Sequence, residues 1–321
     1  VIAGNLRYLG EPISGKSALA LSSPHFGEPI EIVLALEGRS LAAEQAYRSA
    51  AGLAPLDSAG QRAYVAGVRN HQAGIRASLE AAGARVLHQY QIVYNGIAVS
   101  ASPLTLGKIV STPGIARVLP TAVYEVQLDL SVRFILGGES YAELGAHGTG
   151  VTVAIIDTGI DYTHAAFGGS GDPDDWTDND RTIIDGDEAG TFPTAKVVGG
   201  TDLVGEFYDA RGFHPTLRPS CSSTPVPDPD PLDHNGHGSH VAGIVAGEGF
   251  DTFPHGVAPG ASLFAIKLFS GCALDGTAST SSANVVAAIE VAVDPDGDGD
   301  TDDAVDVINM SLGGAFGRDT E

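Results

Sequence analysis

Four short runs, VTVAIID (151–157), KVVGGTD (196–202), ASLFAIKLF (261–269) and VDVINMSLG (305–313), are apolar almost without interruption. A strand with one face in water alternates apolar and polar residues, so a continuous run implies burial on both faces, as in a parallel sheet. Helical patterns lie between the runs, at HGSHVAGIVAG (237–247) and TSSANVVAAIEVAV (280–293). Strands alternating with helices predict an α/β domain whose crossovers return each strand parallel to the last. In such sheets functional sites are built at the carboxyl ends of the strands, so the residues just after each run are the first candidates for a site. The Pro- and Asp-rich stretches 168–190 and 209–235 read as surface insertions.

The chain before residue 125 has a different rhythm. EIVLALEG (31–38) predicts a strand, and AYVAGVRNHQAGIRASLEAAG (63–83) a helix with Gly83 as its stop. RVLHQYQIVYNGIAVSA (85–101) predicts two strands joined at Asn95-Gly96, a dipeptide favoured in hairpins. PLTLGKIVSTPG (103–114) is a short helix and IARVLP (115–120) a last strand. The order strand–helix–strand–strand–helix–strand predicts a small α+β ferredoxin-like domain. Residues 1–28 carry no element, so the organisation is a flank (1–28), a small domain (29–125), a linker (126–148) and the α/β domain (149–321).

Charge obeys the same division. Residues 1–125 carry 10 Lys and Arg against 8 Asp and Glu, whereas 126–321 carry 7 against 32. The acidic part disfavours nucleic acid or an anionic membrane as partner. No run of 18 or more apolar residues occurs, so no membrane span is expected. The first residue is Val1, with no basic-plus-apolar leader after it; any targeting segment is expected to precede this sequence. Two cysteines, Cys221 and Cys272, are too few for a thiolate metal site. Pairing would contribute on the order of 4 kcal/mol in the chain-entropy view, and the sequence leaves paired and unpaired states equally open.

The stretch DHNGHGSH (233–240) places His234, His237 and His240 three apart. A helical zinc pair takes i,i+4 spacing with a glutamate between, which this is not. His237 falls in the first turn of the predicted helix, where the helix dipole favours the neutral imidazole and suits it to act as a general base. His240 is expected to turn with Gly243 and Ile244 toward packed structure. Asp157 ends the first buried strand, ahead of Thr158-Gly159; taken alone it reads first as a turn cap and second as a site residue.

DTG after an apolar strand, HGSHVAG, GVAPGASLFAIKLF (256–269) and INMSLGG (308–314), in that order, resemble the subtilisin-like serine peptidases, or subtilases. Residues 31–120 resemble the inhibitor-type propeptide that precedes those enzymes. The resemblance implies a subtilisin-like parallel sheet with helices on both faces, present here in part, acting on protein or peptide substrates. Asp157 matches the aspartate that orients the imidazole, and His237 the base that activates a serine. Ser311, Leu312 and Gly313 match the strand that pairs with substrate backbone. His234 and His240 become structural neighbours. The family's Gly-Thr-Ser-Met-type nucleophile motif and its oxyanion asparagine do not occur in residues 1–321, and GTASTSSA (276–283) stands ahead of the substrate strand, where neither belongs. The expectation is a secreted zymogen represented up to the substrate strand, unable by itself to perform triad chemistry and leaving a sheet edge unpaired. Its own propeptide would act as intramolecular inhibitor, with maturation cleavage in VYEVQLDLSVRF (123–134). The rival readings are a non-catalytic binding protein of the same fold and an inhibitor of other subtilases.

DPDGDGDTDD (294–303) packs six aspartates into ten residues. Asp294, Asp296 and Asp298 ahead of Gly299 fit the D-x-D-x-D-G opening of a calcium loop. Val305 stands where that loop carries glutamate, so Asp302, Asp303 or Asp306 would have to contribute. A structural calcium and a solvated acidic turn both fit; the chemistry itself needs no cofactor. GDPDDWTDND (171–180) is a weaker version, read as a solvated loop. Asn309-Met310-Ser311 is a glycosylation sequon in a strand expected to be buried, hence silent.

Overall fold

A computed structural model describes residues 7–8, 11–12, 29–121, 123–126, 145, 147–184, 192–249 and 255–314. It divides into two compact units: one contains the described residues up to 121 together with 281–303, the other 123–280 with 304–314.

In the first unit, β1 (Arg7–Tyr8) and β2 (Glu11–Pro12) form a two-stranded ribbon. β3 (Ile30–Leu36), β4 (Arg85–Tyr90), β5 (Gly96–Ala101) and β6 (Ile115–Pro120) form an antiparallel sheet in the order β4-β5-β3-β6. With helices after β3 and β5, this is the ferredoxin-like arrangement the element order predicts. Helix α2 (Ser58–Ala81) begins at Asp57, which accepts from Gly60 N–H, and buries Val65, Gln72, Ile75 and Leu79 along one stripe. Ile75 and Leu79 meet Ile32, Leu34, Ile97 and Val99 in one core, closed by Leu106 and Ile109 of α3 (Leu106–Val110). Helix α1 (Leu41–Ala50) has no counterpart in the sequence reading because it buries only Leu41 and shows no apolar stripe.

The hairpin of β4 and β5 forms as expected, but its turn lies at 91–95 rather than at Asn95-Gly96. Gly96 is already the first residue of β5, opposite Tyr90, and residues 91–95 form the connection. Asn95 is buried, donating to Glu37 O and accepting from Gln72 Nε2. The N–H groups of Gln91, Ile92, Val93 and Tyr94 in this hairpin loop all donate to the Glu290 carboxylate. Glu290 belongs to α6 (Ser282–Val293), which packs in this unit on β3 and β4; Tyr90 Oη donates to Ala283 O at 2.8 Å. Residues 281–303 thus pack within this unit, although in sequence they lie inside the stretch read as the α/β domain (149–321).

The second unit is the α/β domain. β8 (Thr152–Asp157), β9 (Val197–Asp202), β10 (Ser262–Lys267) and β12 (Val307–Asn309) form a parallel sheet in the order β12-β8-β10-β9. All four lie inside the apolar runs that predicted them. α5 (His237–Ala246) packs on β8 and β10 with Val241, Ala242 and Ala246 in the core, beside Ile155, Leu263 and Ala265. A short helix, α4 (Pro173–Thr177), carries Trp176, and Cys221 is bonded to Cys272, which answers the open question of pairing. β7 (Val123–Val126) is the middle strand of a small sheet between β11 (Ser279–Ser281) and β13 (Leu312–Gly313).

Among the described residues β12 is the end strand of this sheet, and the sequon begins at its last residue, Asn309. Val307 and Met310 are exposed and Asn309 is half-buried, its Nδ2 donating to Ser311 Oγ at 3.1 Å. Among the described residues no helix is long and apolar enough to cross a membrane.

Candidate active site

Asp157 closes β8 and His237 opens α5, and the two side chains meet: His237 Nδ1 lies 2.6 Å from Asp157 Oδ1. Both are buried, Asp157 completely. Asp157 Oδ1 also accepts from Thr158 N–H at 2.7 Å. Burial pushes the Asp157 carboxyl above its ordinary value; the hydrogen bond and charge of His237 and the Thr158 N–H oppose this, and Asp233 adds to it. A carboxylate bound to one imidazole nitrogen fixes the tautomer, leaving the other nitrogen as the proton acceptor.

What aims the imidazole is Asp233. α5 starts at Gly236, which offers no side-chain cap. Asp233 reaches over instead: Oδ1 accepts from Asn235 N, Gly236 N and Thr158 Oγ1, and Oδ2 from Ser239 N and Oγ. Thr158 Oγ1 in turn accepts from Gly238 N at 2.8 Å. One carboxylate thus ties the exit of β8 to the first turn of α5, satisfying donors a helix start leaves open.

Beside this pair lies a buried ion group. Asp157, Lys267 and Asp202 are neighbours in register at the carboxyl ends of β8, β10 and β9. Lys267 Nζ is 3.0 Å from Asp202 Oδ2 and also contacts Glu206. His234 Nδ1 is 3.2 Å from Glu206 Oε2, and its ring packs on Trp176 at 5.0 Å. Trp176 Nε1 donates to Asp233 O, which links this group back to the α5 start. His234 therefore sits as a structural neighbour. His240 departs from expectation: it is exposed, because α5 buries positions 237, 238, 241, 242 and 246 and position 240 falls on the opposite face.

Leu312 and Gly313, read as substrate-binding, pair antiparallel with Val126 and Glu125 of β7. Ser311 precedes it, half-buried. Ser279, within GTASTSSA, is buried and donates to Asp209 Oδ1 at 2.8 Å, a packing role beside the Arg211–Asp209 pair. Residues 127–134 of the expected maturation window lie outside the described residues.

In the acidic turn, carboxylate oxygens of Asp294, Asp296 and Asp303 all lie within 4.8 Å of one another. Asp298 turns instead to Arg62, at 3.3 Å, and Asp302 hydrogen-bonds Asp300. Burial, then the charges of Asp303, Asp298 and Asp296, push Asp294 up to about 6 against the pull of the Gly299 N–H.

Sequence reasoning does not single out Asp233, Lys267 or Glu290. Lys267 carries a signal, as the one charge inside ASLFAIKLF; Asp233 and Glu290 act on backbone groups that only the fold brings near.

The subtilase family model matches residues 148–320, more than half of the chain, and the chain belongs to that family. It is 29% identical over 251 residues to subtilisin-like protease SBT1.7 of Arabidopsis thaliana, covering 73% of this chain and 30% of the relative. It is 27% identical over 249 residues to minor extracellular protease Vpr of Bacillus subtilis (strain 168), covering 72% and 24%. Subtilisin DY of Bacillus licheniformis is 34% identical over 174 residues, 54% of this chain and 40% of that one. Among solved structures, fervidolysin from Fervidobacterium pennivorans, a keratinolytic enzyme related to subtilisin, aligns over 90% of this chain and 36% of its own, with 17% identity and a TM-score of 0.44. The chain thus spans less than half the length of each of these relatives.

Proposed function

We propose that this chain belongs to a secreted serine endopeptidase in zymogen form. His237 acts as general base and then as acid to the leaving amine, Asp157 orients the imidazole and stabilises its charged form, and a serine outside residues 1–321 attacks the peptide bond. The observation that carries this is the buried 2.6 Å contact of His237 Nδ1 with Asp157, formed by a strand end and a helix start inside the matched family region. A binding module of the same fold would need neither residue. Residues 29–125 serve as inhibitory propeptide, and β7 on β13 is the product-like strand in the cleft, held by main-chain hydrogen bonds. The charge split supports this, since a mildly basic propeptide and an acidic body attract. The disulfide fits an oxidising, extracellular setting. A hard divalent cation at the acidic turn, structural in purpose, completes the reading.

The test is serine labelling by a fluorophosphonate probe in the protein extended through its downstream coding sequence. Labelling of one serine, lost in His237→Ala and strongly slowed in Asp157→Asn, is the expected result; by the analogous triad, the losses in kcat are about 10⁶-fold and about 10⁴-fold. No labelled serine in a folded extended protein would sink the peptidase reading.

A further inference from the structure

We propose that residues 294–303 form a divalent-cation site which Arg62 of α2 keeps one ligand short, so that cation binding and the docking of α2 on this turn oppose each other. Asp294 is only 6% exposed, yet its Oδ1 has no hydrogen-bond partner among the described residues. The carboxylates of Asp296 and Asp303 close on it. A hard cation such as Ca²⁺ satisfies such an arrangement with oxygen ligands, backbone carbonyls and water filling the remaining positions.

The motif D-x-D-x-D-G supplies a third carboxylate, Asp298, and here it is drawn away. Arg62 Nη1 donates to Asp298 Oδ2 at 3.3 Å and also to Asp300 Oδ2. Three further contacts seat α2 along the same turn. Arg69 Nη2 donates to Gly297 O at 3.4 Å, Thr301 Oγ1 donates to Gln61 Oε1 at 3.2 Å, and Val65 lies against Gly299. When Arg62 leaves, Asp298 is freed to join Asp294, Asp296 and Asp303. By thermodynamic reciprocity, a cation that gains this ligand loosens α2 by the same factor. The biological consequence rests on residues 29–125 being the inhibitory propeptide: extracellular Ca²⁺ then favours its release.

The experiment is calorimetric titration of the intact chain with CaCl₂. Arg62→Gln tightens Ca²⁺ binding about tenfold, the effect of one added carboxylate ligand. Asp298→Asn changes affinity little in the parent and removes the gain in the Arg62→Gln background. Arg69→Gln, which deletes a nearby positive charge without freeing a carboxylate, stays within about twofold of the parent. Saturating Ca²⁺ speeds amide exchange in residues 58–69 of the parent. The proposal is overturned by an absence of Ca²⁺ binding, by an unchanged or weakened Arg62→Gln, by a gain that survives Asp298→Asn or is matched by Arg69→Gln, or by slower exchange in 58–69. None of these readouts needs peptidase activity, so failure of serine labelling and failure here are separate results.

Discussion

Gly238 of α5 and Gly159 after β8 meet backbone to backbone: a Cβ on residue 238 would fall 2.2 Å from the Gly159 carbonyl oxygen. The clashing atom is backbone rather than the end of a flexible side chain, so any larger residue must push the helix start off the strand exit. His237 is the adjacent residue, and its 2.6 Å contact with Asp157 depends on that close approach. Gly238→Ala is expected to destabilise the chain by about 1–3 kcal/mol, the usual range for overpacking. In the extended protein it should also lower the rate of serine labelling at least tenfold, through misplaced imidazole geometry. A variant that labels at the parent rate would show that the pair tolerates a shifted helix.

Each feature is legible in the sequence to the extent that local residues determine it. β8, β9, β10 and β12 fall inside apolar runs because burial on both faces writes itself into consecutive residues. Asp157 and His237 are placed by motif and by position at a strand end and a helix start. Asn95-Gly96 misleads because a local turn preference is overridden by Glu290, distant in sequence, which takes the connection's N–H groups. His240 misleads because a small-residue helix such as HGSHVAGIVA gives little periodic contrast from which to set its buried face.

Asp233 should matter more than a surface aspartate ahead of a helix. It accepts from three backbone N–H groups and two hydroxyls and is itself buried. Asp233→Ala strands these donors and is expected to cost about 2–4 kcal/mol. Asp233→Asn keeps an acceptor at the Oδ1 position and should cost less than the alanine. Urea midpoints of the three proteins give the ranking; equal midpoints for alanine and parent would refute the capping role.

Stability should peak in mildly acidic solution as far as the Lys267 group is concerned. Burial, then Asp202, raises Asp228 from 3.8 to about 7, and burial raises Asp230 from 3.8 to about 6. Both folded values exceed the unfolded ones, so their contribution is full below about pH 4 and lost as pH rises toward 6–7. Glu206 runs the other way. Burial pushes it up, but His234 and Lys267 outweigh this and hold it at about 2, so its contribution is lost as pH falls from about 4.5 toward 2. Asp230→Asn imitates the neutral acid, and Asn Oδ1 can still accept from Tyr162 Oη and Leu232 N–H. The variant should lose roughly 2–3 kcal/mol of the parent's decline between pH 4 and 7, measured by urea unfolding across that range. An unchanged slope would mean Asp230 ionises without penalty.

Glu290 tests whether α6 is held by one side chain. Its Oε1 accepts from Ile92 and Tyr94 N–H at 3.1 and 3.2 Å and from Val93 N–H, and its Oε2 from Gln91 N–H at 3.1 Å. Four successive donors converging on one carboxylate make a charge-assisted cradle that no other residue type reproduces. Glutamine keeps Oε1 as acceptor for Ile92, Val93 and Tyr94 N–H but turns an N–H donor toward Gln91 N–H, so Glu290→Gln should cost less than Glu290→Ala, which is expected to cost about 2–4 kcal/mol. Amide exchange at residues 91–94 should rise in both variants while the α2 core around Ile75 and Leu79 stays protected. Protection at 91–94 equal to the parent in Glu290→Gln would show that the four N–H groups find other acceptors and that the contact is incidental.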